Sequence, residues 1–543
     1  MLEGAHVNPP HDSTEPRSTT IWRHLFDPVD IASLVFFRIA FGILMLWEAW
    51  HFFQNDLLRH LFLKPPFLFK FYGFEWVHPW PGSGLYVHFA VLALLSAFIA
   101  LGLWYRLSVA LFGVGFAYVF LLDEGLYLNH FYLICLISLL LIFIPAHRAV
   151  SIDAWLRPAI RSETVPAWSL WLLRAQFGII YFYGGLAKLN TDWLHGEPMR
   201  SFLAVQHETP IIGPYVAAPA LIYFLTYGGL LFDLLVVPAL LWPRTRVIAF
   251  TFALFFHLMN AWQFNIDVFP WFMIAATTLF LHPNWPRRIA ARWRARARDD
   301  TDQQEPDQRV PDLEGSLTRS QRVTLAMLGL YLAVQLVVPL RHFLYPGNPM
   351  WTVEGQRFAW RMLLGVKRTE VHFIVATANK DKVWIVDPQR FLSPQQVGVL
   401  HPSPALTAQY MQTLVEEWRK NGYDGVSIRR ERVPLLFKVT DRSSGKEWTI
   451  NPVDVGLPPK QANRMSGTPD MVLQFSHYIA RQMREEGYED VEVRADGYLS
   501  LHGRVYQRLI DAEVDLAAQP RTLGHASWIM PLEHPFPERT DGW

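Results

Sequence analysis

Lys188 is a lone basic residue at the end of the apolar and aromatic run 177–187, and Asp192 follows it four positions later. An ionised lysine inside a bilayer costs roughly 3 kcal/mol on insertion scales, unless the amine reaches the interface, pairs with an acid such as Asp192, or loses its proton. Desolvation favours the neutral amine, and a neutral lysine can act as a general base. The pattern therefore predicts either a catalytic base or a lysine that reaches the membrane surface from a helix end.

Further polar residues interrupt the apolar segments, and polar groups inside a membrane usually face one another or a cavity. They are Arg38, Asn129, His130, Arg174, Gln176, Asp233, His257, Asn260 and Gln263. His257 and Asn260 are three positions apart and so share one face of a helix. Each of these residues could instead form a hydrogen bond between helices, and that is the expectation for Arg38 and Gln176.

Apolar segments recur through the first two thirds of a chain that is 51% hydrophobic and 15% aromatic overall. Each has roughly 17–25 residues, the length that a spanning helix needs. The segments are 31–52, 85–104, 107–123, 126–145, 168–187, 217–242, 246–264, 267–283 and 322–340. The sequence thus predicts a polytopic α-helical membrane domain with about nine transmembrane helices.

Basic residues in the short loops predict the orientation, because cytoplasmic loops are enriched in Lys and Arg. With a cytoplasmic N-terminus, the inward loops carry Arg106, Arg148, Arg157, Arg161, Arg244, Arg246 and the arginine-rich stretch 287–298. An odd number of spans then places the C-terminal third outside the cytoplasm. Lys188 would lie on the outer side of the fifth span.

The C-terminal third contains runs of alternating apolar and polar residues, which are typical of strands with one buried face. Two units of hairpin, helix and strand follow each other at 370–429 and 435–494, and the similar sequences 419–426 and 484–491 end their helices. We therefore predict an extracytoplasmic α+β domain with an internal duplication. The full division is a disordered tail at 1–20, a transmembrane catalytic domain with spans one to eight at 21–286, a cytoplasmic basic and polar linker at 287–321, span nine at 322–340, and the extracytoplasmic domain at 341–543.

Charge, cysteine content and missing motifs exclude several classes of protein. The net charge of +1 gives no reason to expect a nucleic acid partner, and the single cysteine, Cys135, cannot form an intrachain disulfide. GxSxG, P-loop, His-Glu-x-x-His, Cys-x-x-Cys and complete GxGxxG motifs are absent, as are Asn-X-Ser/Thr sequons. An exported domain with neither disulfide nor sequon favours a bacterial inner membrane, or the endoplasmic reticulum membrane if the source is eukaryotic.

The sequence of residues 183–193, Tyr-Gly-Gly-Leu-Ala-Lys-Leu-Asn-Thr-Asp-Trp, resembles the segment that carries the catalytic lysine of vitamin K-dependent γ-glutamyl carboxylases. Similar landmarks of that family are Asn129-His130 and the segments 228–233, 257–260, 345–351, 358–362, 504–511 and 527–532. The likeness runs from about residue 20 to about residue 535. Two departures are Ala187, where the animal enzymes have a second lysine, and the absence of their long extension after Leu532, which are features of a shorter, bacterial-type member.

The resemblance implies a carboxy-lyase that converts peptidyl glutamate to γ-carboxyglutamate. Its co-substrates would be vitamin K hydroquinone, O₂ and CO₂, without a metal, and the quinone would leave as the 2,3-epoxide. The resemblance makes Lys188 the base that deprotonates the hydroquinone. The other candidates are His130 and His257 as catalytic residues, Asn129, Asn260 and Arg174 as cofactor-binding residues, and Trp360, Arg361 and Met362 as substrate-binding residues.

The expected partners are a glutamate-containing polypeptide, the lipid bilayer and a quinone or epoxide reductase. Two other functions fit the same pattern. One is an oxygen-dependent quinol epoxidase without carboxylation of a protein glutamate, and the other is a non-catalytic transporter or scaffold. A base at Lys188 also requires that Asp192 face the outer interface, because a nearby carboxylate would stabilise the ammonium form.

Overall fold

The computed structural model describes residues 22–536 except 207–208, 210–212, 217, 265, 298–316, 378–381, 387, 389–403 and 433. The tail predicted at 1–20 therefore lies outside the described residues. The helices of the membrane domain are α1 (Ala32–Gln54), α2 (Gly84–Leu101), α3 (Tyr105–Leu122), α4 (Asn129–Phe143), α5 (Trp168–Lys188), α6 (Pro219–Leu241), α7 (Arg246–Gln263), α8 (Phe269–Thr277), α9 (Trp285–Ala297) and α10 (Arg319–Val337).

Within the described residues, five helices are long and apolar enough to cross a membrane: α1, α2, α3, α6 and α10 with its extension to Leu344. The prediction of nine spans is therefore confirmed for five segments only. Helices α4 and α8 are apolar but short; the 15 residues of α4 rise about 22 Å, against a hydrocarbon core of about 30 Å. Helices α5 and α7 carry several polar side chains, which lower their mean hydropathy.

Two buried polar residues of the membrane domain have the structural roles expected of them. The Arg38 guanidinium donates to the carbonyls of Ala146 (3.0 Å) and Val150 (2.6 Å), and so fixes the loop that precedes α5. Gln176 accepts a hydrogen bond of 2.6 Å from the Tyr331 hydroxyl, which joins α5 to α10. Both are packing contacts of the kind that polar residues make between membrane helices.

The predicted linker at 287–321 begins as a helix. Residues 285–297 form α9, which continues directly from the end of the membrane core and contains five arginines. Thr318 then caps α10, since its hydroxyl accepts from the Gln321 backbone while the Gln321 side chain accepts from the Thr318 backbone. Only the stretch between these helices, 298–316, lies outside the description.

The C-terminal region contains two three-stranded sheets with one topology. The strands are β4 (Val371–Ala376), β5 (Val383–Val386) and β6 (Ser427–Arg432), then β7 (Leu436–Asp441), β8 (Lys446–Ile450) and β9 (Val491–Asp496). In each sheet the first strand lies between the second and the third, and both pairings are antiparallel. Helices α11 (Pro404–Lys420) and α13 (Pro469–Glu485) precede the third strands. Strands and helices thus occur in the predicted order in both units.

A third small sheet was not predicted from the sequence. Its strands are β3 (Lys367–Thr369), β10 (Tyr498–Leu501) and β11 (Gln507–Arg508), in the order β11-β10-β3. These strands have two to four residues, which is too short for a visible alternation. A ribbon of β1 (Pro28–Asp30) and β2 (Thr164–Pro166) likewise joins the starts of α1 and α5. Helix α12 (Pro459–Ser466) precedes α13.

The loop after α3 docks the C-terminal domain on the membrane domain. The Asp123 carboxylate accepts from the Gln461 side chain at 2.7 Å, and Arg464 donates to the Tyr127 carbonyl at 3.1 Å. Glu124 pairs with Arg357 (2.5 Å) and Arg521 (3.2 Å). Because all these residues except Arg464 are buried or half-buried, the two domains meet through a specific polar interface.

Candidate active site

Two glycines bring α5 and α6 into close contact. A Cβ atom on Gly184 would lie 3.1 Å from Asp233 Oδ2, and one on Gly185 would lie 2.6 Å from Leu234 Cδ2. Small residues allow membrane helices to approach at this distance. The two glycines therefore allow a carboxylate on α6 to reach the end of α5.

Lys188 uses this approach to form a buried ion pair with Asp233. Its amine also donates to the Gly184 carbonyl at 3.2 Å and lies 5.1 Å from the centre of the Trp193 ring. Both side chains of the pair are close to nine-tenths buried. The partner of Lys188 is thus an acidic residue of another helix and not Asp192, the nearest acid in sequence.

Asp192 instead belongs to the interface with the C-terminal domain and does not face Lys188, but Asp233 places a carboxylate beside the amine in its stead. Its carboxylate accepts from Arg504 at 2.6 and 2.9 Å and lies 2.6 Å from His502 Nδ1. Burial alone would raise the pKa of Asp192, but the hydrogen bonds from His502 and Arg504 outweigh it and hold the pKa well below its usual range. Helix α5 ends at Lys188, and Asn190 caps the short helix Thr191–Leu194, so the chain turns before Asp192.

His257 lies deeper on the same side of α5. The Tyr181 hydroxyl and His257 Nε2 are 2.7 Å apart, and Tyr181 is two helical turns before Lys188. The ring of Phe232 packs against both Tyr181 and His257. His257 Nδ1 is buried without a hydrogen-bond partner among the described residues. Asn260 follows one turn later on α7 with a half-buried side chain.

His130 has a similar unsatisfied nitrogen on α4. Its ring packs against Phe131 and Phe269, and within the described part of the chain its buried Nε2 has no hydrogen-bond partner. Asn129 accepts a hydrogen bond from the Tyr127 hydroxyl at 3.0 Å. The same hydroxyl accepts from the Phe358 backbone at 2.8 Å, so Asn129 lies beside the segment that follows α10.

The segment 353–363 inserts side chains into the membrane core. Trp360 is 1% exposed, stacks on Tyr132 with ring centres 5.0 Å apart, and belongs to the same apolar cluster as α1 to α8. The Met362 methyl group lies close to Gly184 and hence to Asp233. Four non-glycine residues of the segment have left-handed backbone conformations: Val353, Phe358, Trp360 and Leu363, with φ between 53° and 64°.

A cavity of about 610 Å³ lies between the end of α5 and this segment. Tyr183, Ala187 and Asn190 line it from the membrane domain, while His342 and Arg361 line it from the other side. Lys188 lies on the adjacent face of α5, towards α6. The cavity therefore adjoins the Lys188–Asp233 pair without containing it.

Arg361 is the charged group of the cavity wall that lacks an acidic partner among the described residues. Its guanidinium has long contacts of 3.4 Å to His342 Nε2 and to Met350 Sδ, and its buried Nε has no partner within the described ranges. Burial lowers the pKa of Arg361 to about 10, so the group stays charged at neutral pH. An arginine in this environment favours binding of a carboxylate.

Arg174 is the predicted site residue that the structure places elsewhere. It lies 14 positions before Lys188 on α5, about 21 Å away along the helix axis. Its guanidinium donates to the carbonyls of Leu279 (2.8 Å) and Leu281 (3.1 Å) at the other end of the membrane domain. These contacts fix the chain at the end of α8. Arg174 therefore lies far from the Lys188 amine.

Two residues of the site were not assigned a role from the sequence. Asp233 was recognised only as a polar residue within an apolar segment, and Tyr181 as part of the aromatic run. The signal for Asp233 is available, since it is the one charged residue of the 23-residue helix α6. Tyr181 carries no comparable signal, because tyrosines are frequent throughout these segments.

Comparison with known families covers both domains. A model described as the HTTM domain matches residues 26–285, and a model described as the vitamin K-dependent gamma-carboxylase, lumenal domain, matches residues 320–434 and 425–535. The first match of the second model includes the sheet of β4, β5 and β6, and the second match includes the sheet of β7, β8 and β9. No solved structure matches the chain. Since the two models together account for most of the sequence, the chain belongs to the vitamin K-dependent γ-carboxylase family.

Proposed function

We propose that the protein is a membrane-embedded γ-glutamyl carboxylase that converts peptidyl glutamate to γ-carboxyglutamate and oxidises reduced vitamin K to the 2,3-epoxide with O₂ and CO₂. The observation that carries the proposal is a buried lysine next to a cavity that contains an arginine without an acidic partner among the described residues. Lys188 is the proposed base, and Arg361 the proposed anchor for the substrate carboxylate. Family membership supports the same chemistry.

The residues around Lys188 suit a flat aromatic ring that carries hydroxyl groups. Tyr181, Phe232 and His257 provide aromatic surfaces, and Nδ1 of His257 is buried and has no hydrogen-bond partner in the described part of the chain. Asn260, His130 and Asn129 are further candidates to hold oxygen atoms of the ring. When bound, reduced vitamin K would supply an acidic hydroxyl group, and its oxidation by O₂ would supply the free energy for removal of the glutamate γ-proton.

The protein's own contribution is to orient these groups and to exclude water. Trp360 and Met362 close the space between α4 and α5 with apolar surface. A water-poor site strengthens the interactions of Lys188 and Arg361 with their ligands and protects a carbanion from protonation. The Lys188 amine would accept the hydroxyl proton, while Arg361 holds the substrate carboxylate.

The proposal is tested with purified protein, reduced vitamin K, labelled bicarbonate and a glutamate-containing peptide. Incorporation of label into the peptide together with epoxide formation is the expected result. Epoxide without fixed carbon would assign the chain to quinol epoxidation alone. Neither product from folded protein would contradict both enzymatic functions and leave a transporter or scaffold.

Arg361→Ala is expected to raise the KM for the peptide about tenfold or more, because a charge-assisted hydrogen bond contributes about 1.5–3 kcal/mol. Epoxide formation without peptide should continue in this variant. Arg508→Ala is the control, since Arg508 forms a half-exposed surface pair with Asp496 in the C-terminal domain. A KM for the peptide that is the same in Arg361→Ala and wild-type protein would remove Arg361 from the substrate site.

We further propose that the N-terminus is cytoplasmic and that the C-terminal domain lies outside. A reporter that is active only outside the cytoplasm should function when fused after Trp543 and fail when fused after Arg298. A reporter that is active only inside should give the reverse pattern. Equal signals from the two fusion sites would contradict this orientation.

A further inference from the structure

Asp233 is buried at the point where the proposed base ends α5. It is the only charged residue of α6, and its side chain is about nine-tenths buried. An unpaired carboxylate at this depth would be costly, as would an unpaired ammonium. Each member of the Lys188–Asp233 pair therefore depends on the other to remain ionised in this site.

Other charged and titratable groups near the pair are engaged elsewhere. Asp192 accepts from Arg504 and contacts His502, while His257 contacts Tyr181. Arg361 and His342 contact each other in the wall of the neighbouring cavity. Within the part of the chain that the structure describes, Asp233 is the carboxylate that contacts the Lys188 amine.

The sequence around the pair fixes its geometry. Gly184 leaves space for Asp233 Oδ2, and the Met362 methyl group lies against the same glycine. Since Lys188 also donates to the Gly184 carbonyl, its amine is held from two directions. A lysine with four rotatable bonds would otherwise sample many positions.

We propose that Asp233 is the positioning residue of the base: it directs the Lys188 amine and stabilises its ammonium form until a substrate arrives. This inference rests on the proposed function, in which Lys188 is the base. A carboxylate beside an amine favours the protonated amine, so it sets the pH at which the free base becomes available. The carboxylate also makes the amine a stronger proton acceptor than a lone buried lysine.

The test is Asp233→Asn, which keeps the shape of the side chain and removes its charge. Epoxidation should lose at least about tenfold in kcat, with little change in the KM for the peptide. The acid limb of the pH–rate profile should move to lower pH by about one unit or more, the size of shift that an adjacent opposite charge produces. Asp233→Glu, which retains the charge, should keep the limb near its wild-type position.

Gln176→Leu is the matched control, because Gln176 is a buried polar residue of α5, the helix that carries Lys188, and its hydrogen bond to Tyr331 has no part in the proposed chemistry. It should lower stability without moving the acid limb. An Asp233→Asn profile that coincides with wild type, or a loss of rate with an unmoved limb, would overturn the proposal. If Asp233→Asn is too slow for its pH–rate profile to be measured, Asp233→Glu is compared with it. Higher activity in Asp233→Glu supports the positioning role, and equal inactivity of the two variants contradicts it.

The same experiment separates this inference from the proposed function. Wild-type protein that produces neither epoxide nor carboxylated peptide contradicts the function itself. If the wild-type protein is active and the acid limb of the Asp233→Asn profile has not moved, only the role of Asp233 is contradicted.

Discussion

Lys188→Ala is expected to abolish both epoxide formation and carboxylation, at least about a thousandfold, while the protein stays folded. General bases contribute about 10²–10⁴-fold, and here both reactions depend on the same initial deprotonation. Lys188→Arg should be equally inactive although it preserves the positive charge beside Asp233, because a guanidinium does not release its proton. Both products are measured on purified protein, with thermal unfolding as the check of folding.

Small primary amines provide the decisive control for Lys188. Added to Lys188→Ala, they should restore part of the activity by occupying the space beside Asp233. A missing base allows such rescue, whereas a lost structural contact does not. Near-wild-type epoxidation by either variant would show that Lys188 serves only to anchor the helix end.

Asp192→Asn is expected to destabilise the protein by about 3–5 kcal/mol, because it leaves a buried arginine without its counter-charge. Arg504 and His502 are both more than nine-tenths buried, and Asp192 is their shared partner. The loss should appear as a lower midpoint of thermal unfolding and as faster proteolysis of the C-terminal domain. Asp496→Asn is the control, since its partners Lys438 and Arg508 are largely exposed and such pairs contribute about 0–1 kcal/mol.

The difference in stability between wild-type protein and Asp192→Asn should depend on pH in a defined direction. The pKa of Asp192 is lower in the folded protein than the ordinary value of about 3.9, so its stabilising contribution is fully present above pH 4 or so. That contribution declines only as the pH falls further towards the folded-state value. The stability difference between wild type and Asp192→Asn should therefore be constant near neutral pH and shrink in acid. A difference that grew in acid would contradict the ion pair.

Lys188 stands out in the sequence, whereas its partner in the structure does not. A carboxylate four positions away is the natural candidate if the helix continues, but α5 ends at Lys188 and Asn190 begins a new short helix. Asp233 is 45 positions away in sequence, and its approach depends on how α6 packs against Gly184 and Gly185. Such packing involves the shapes of both helices, which no periodicity of a single segment reveals.

The same contrast between local sequence patterns and packing explains which other parts of the fold could be predicted. The two sheet units were predictable because strands such as β7 alternate between buried and more exposed residues and α13 has an apolar face. Segment counting was less reliable for the membrane domain, where α4 and α8 are apolar but too short to span alone. The predicted residue Arg361 lines the cavity, and its substrate role stays a prediction. The inward orientation of Trp360 depends on left-handed backbone conformations that the sequence does not reveal.

The left-handed residues of the segment 353–363 bear on the biogenesis of the protein. Each costs of order 1–3 kcal/mol and persists only where its surroundings enforce it. Those surroundings include α4 and α5, which the ribosome completes early, and the Arg521 region, which it completes almost last. A nascent chain that has inserted all its membrane helices thus still lacks the wall of the cavity that carries Arg361. Under the proposed function, a chain truncated before this segment would reside in the membrane without its anchor for the substrate carboxylate.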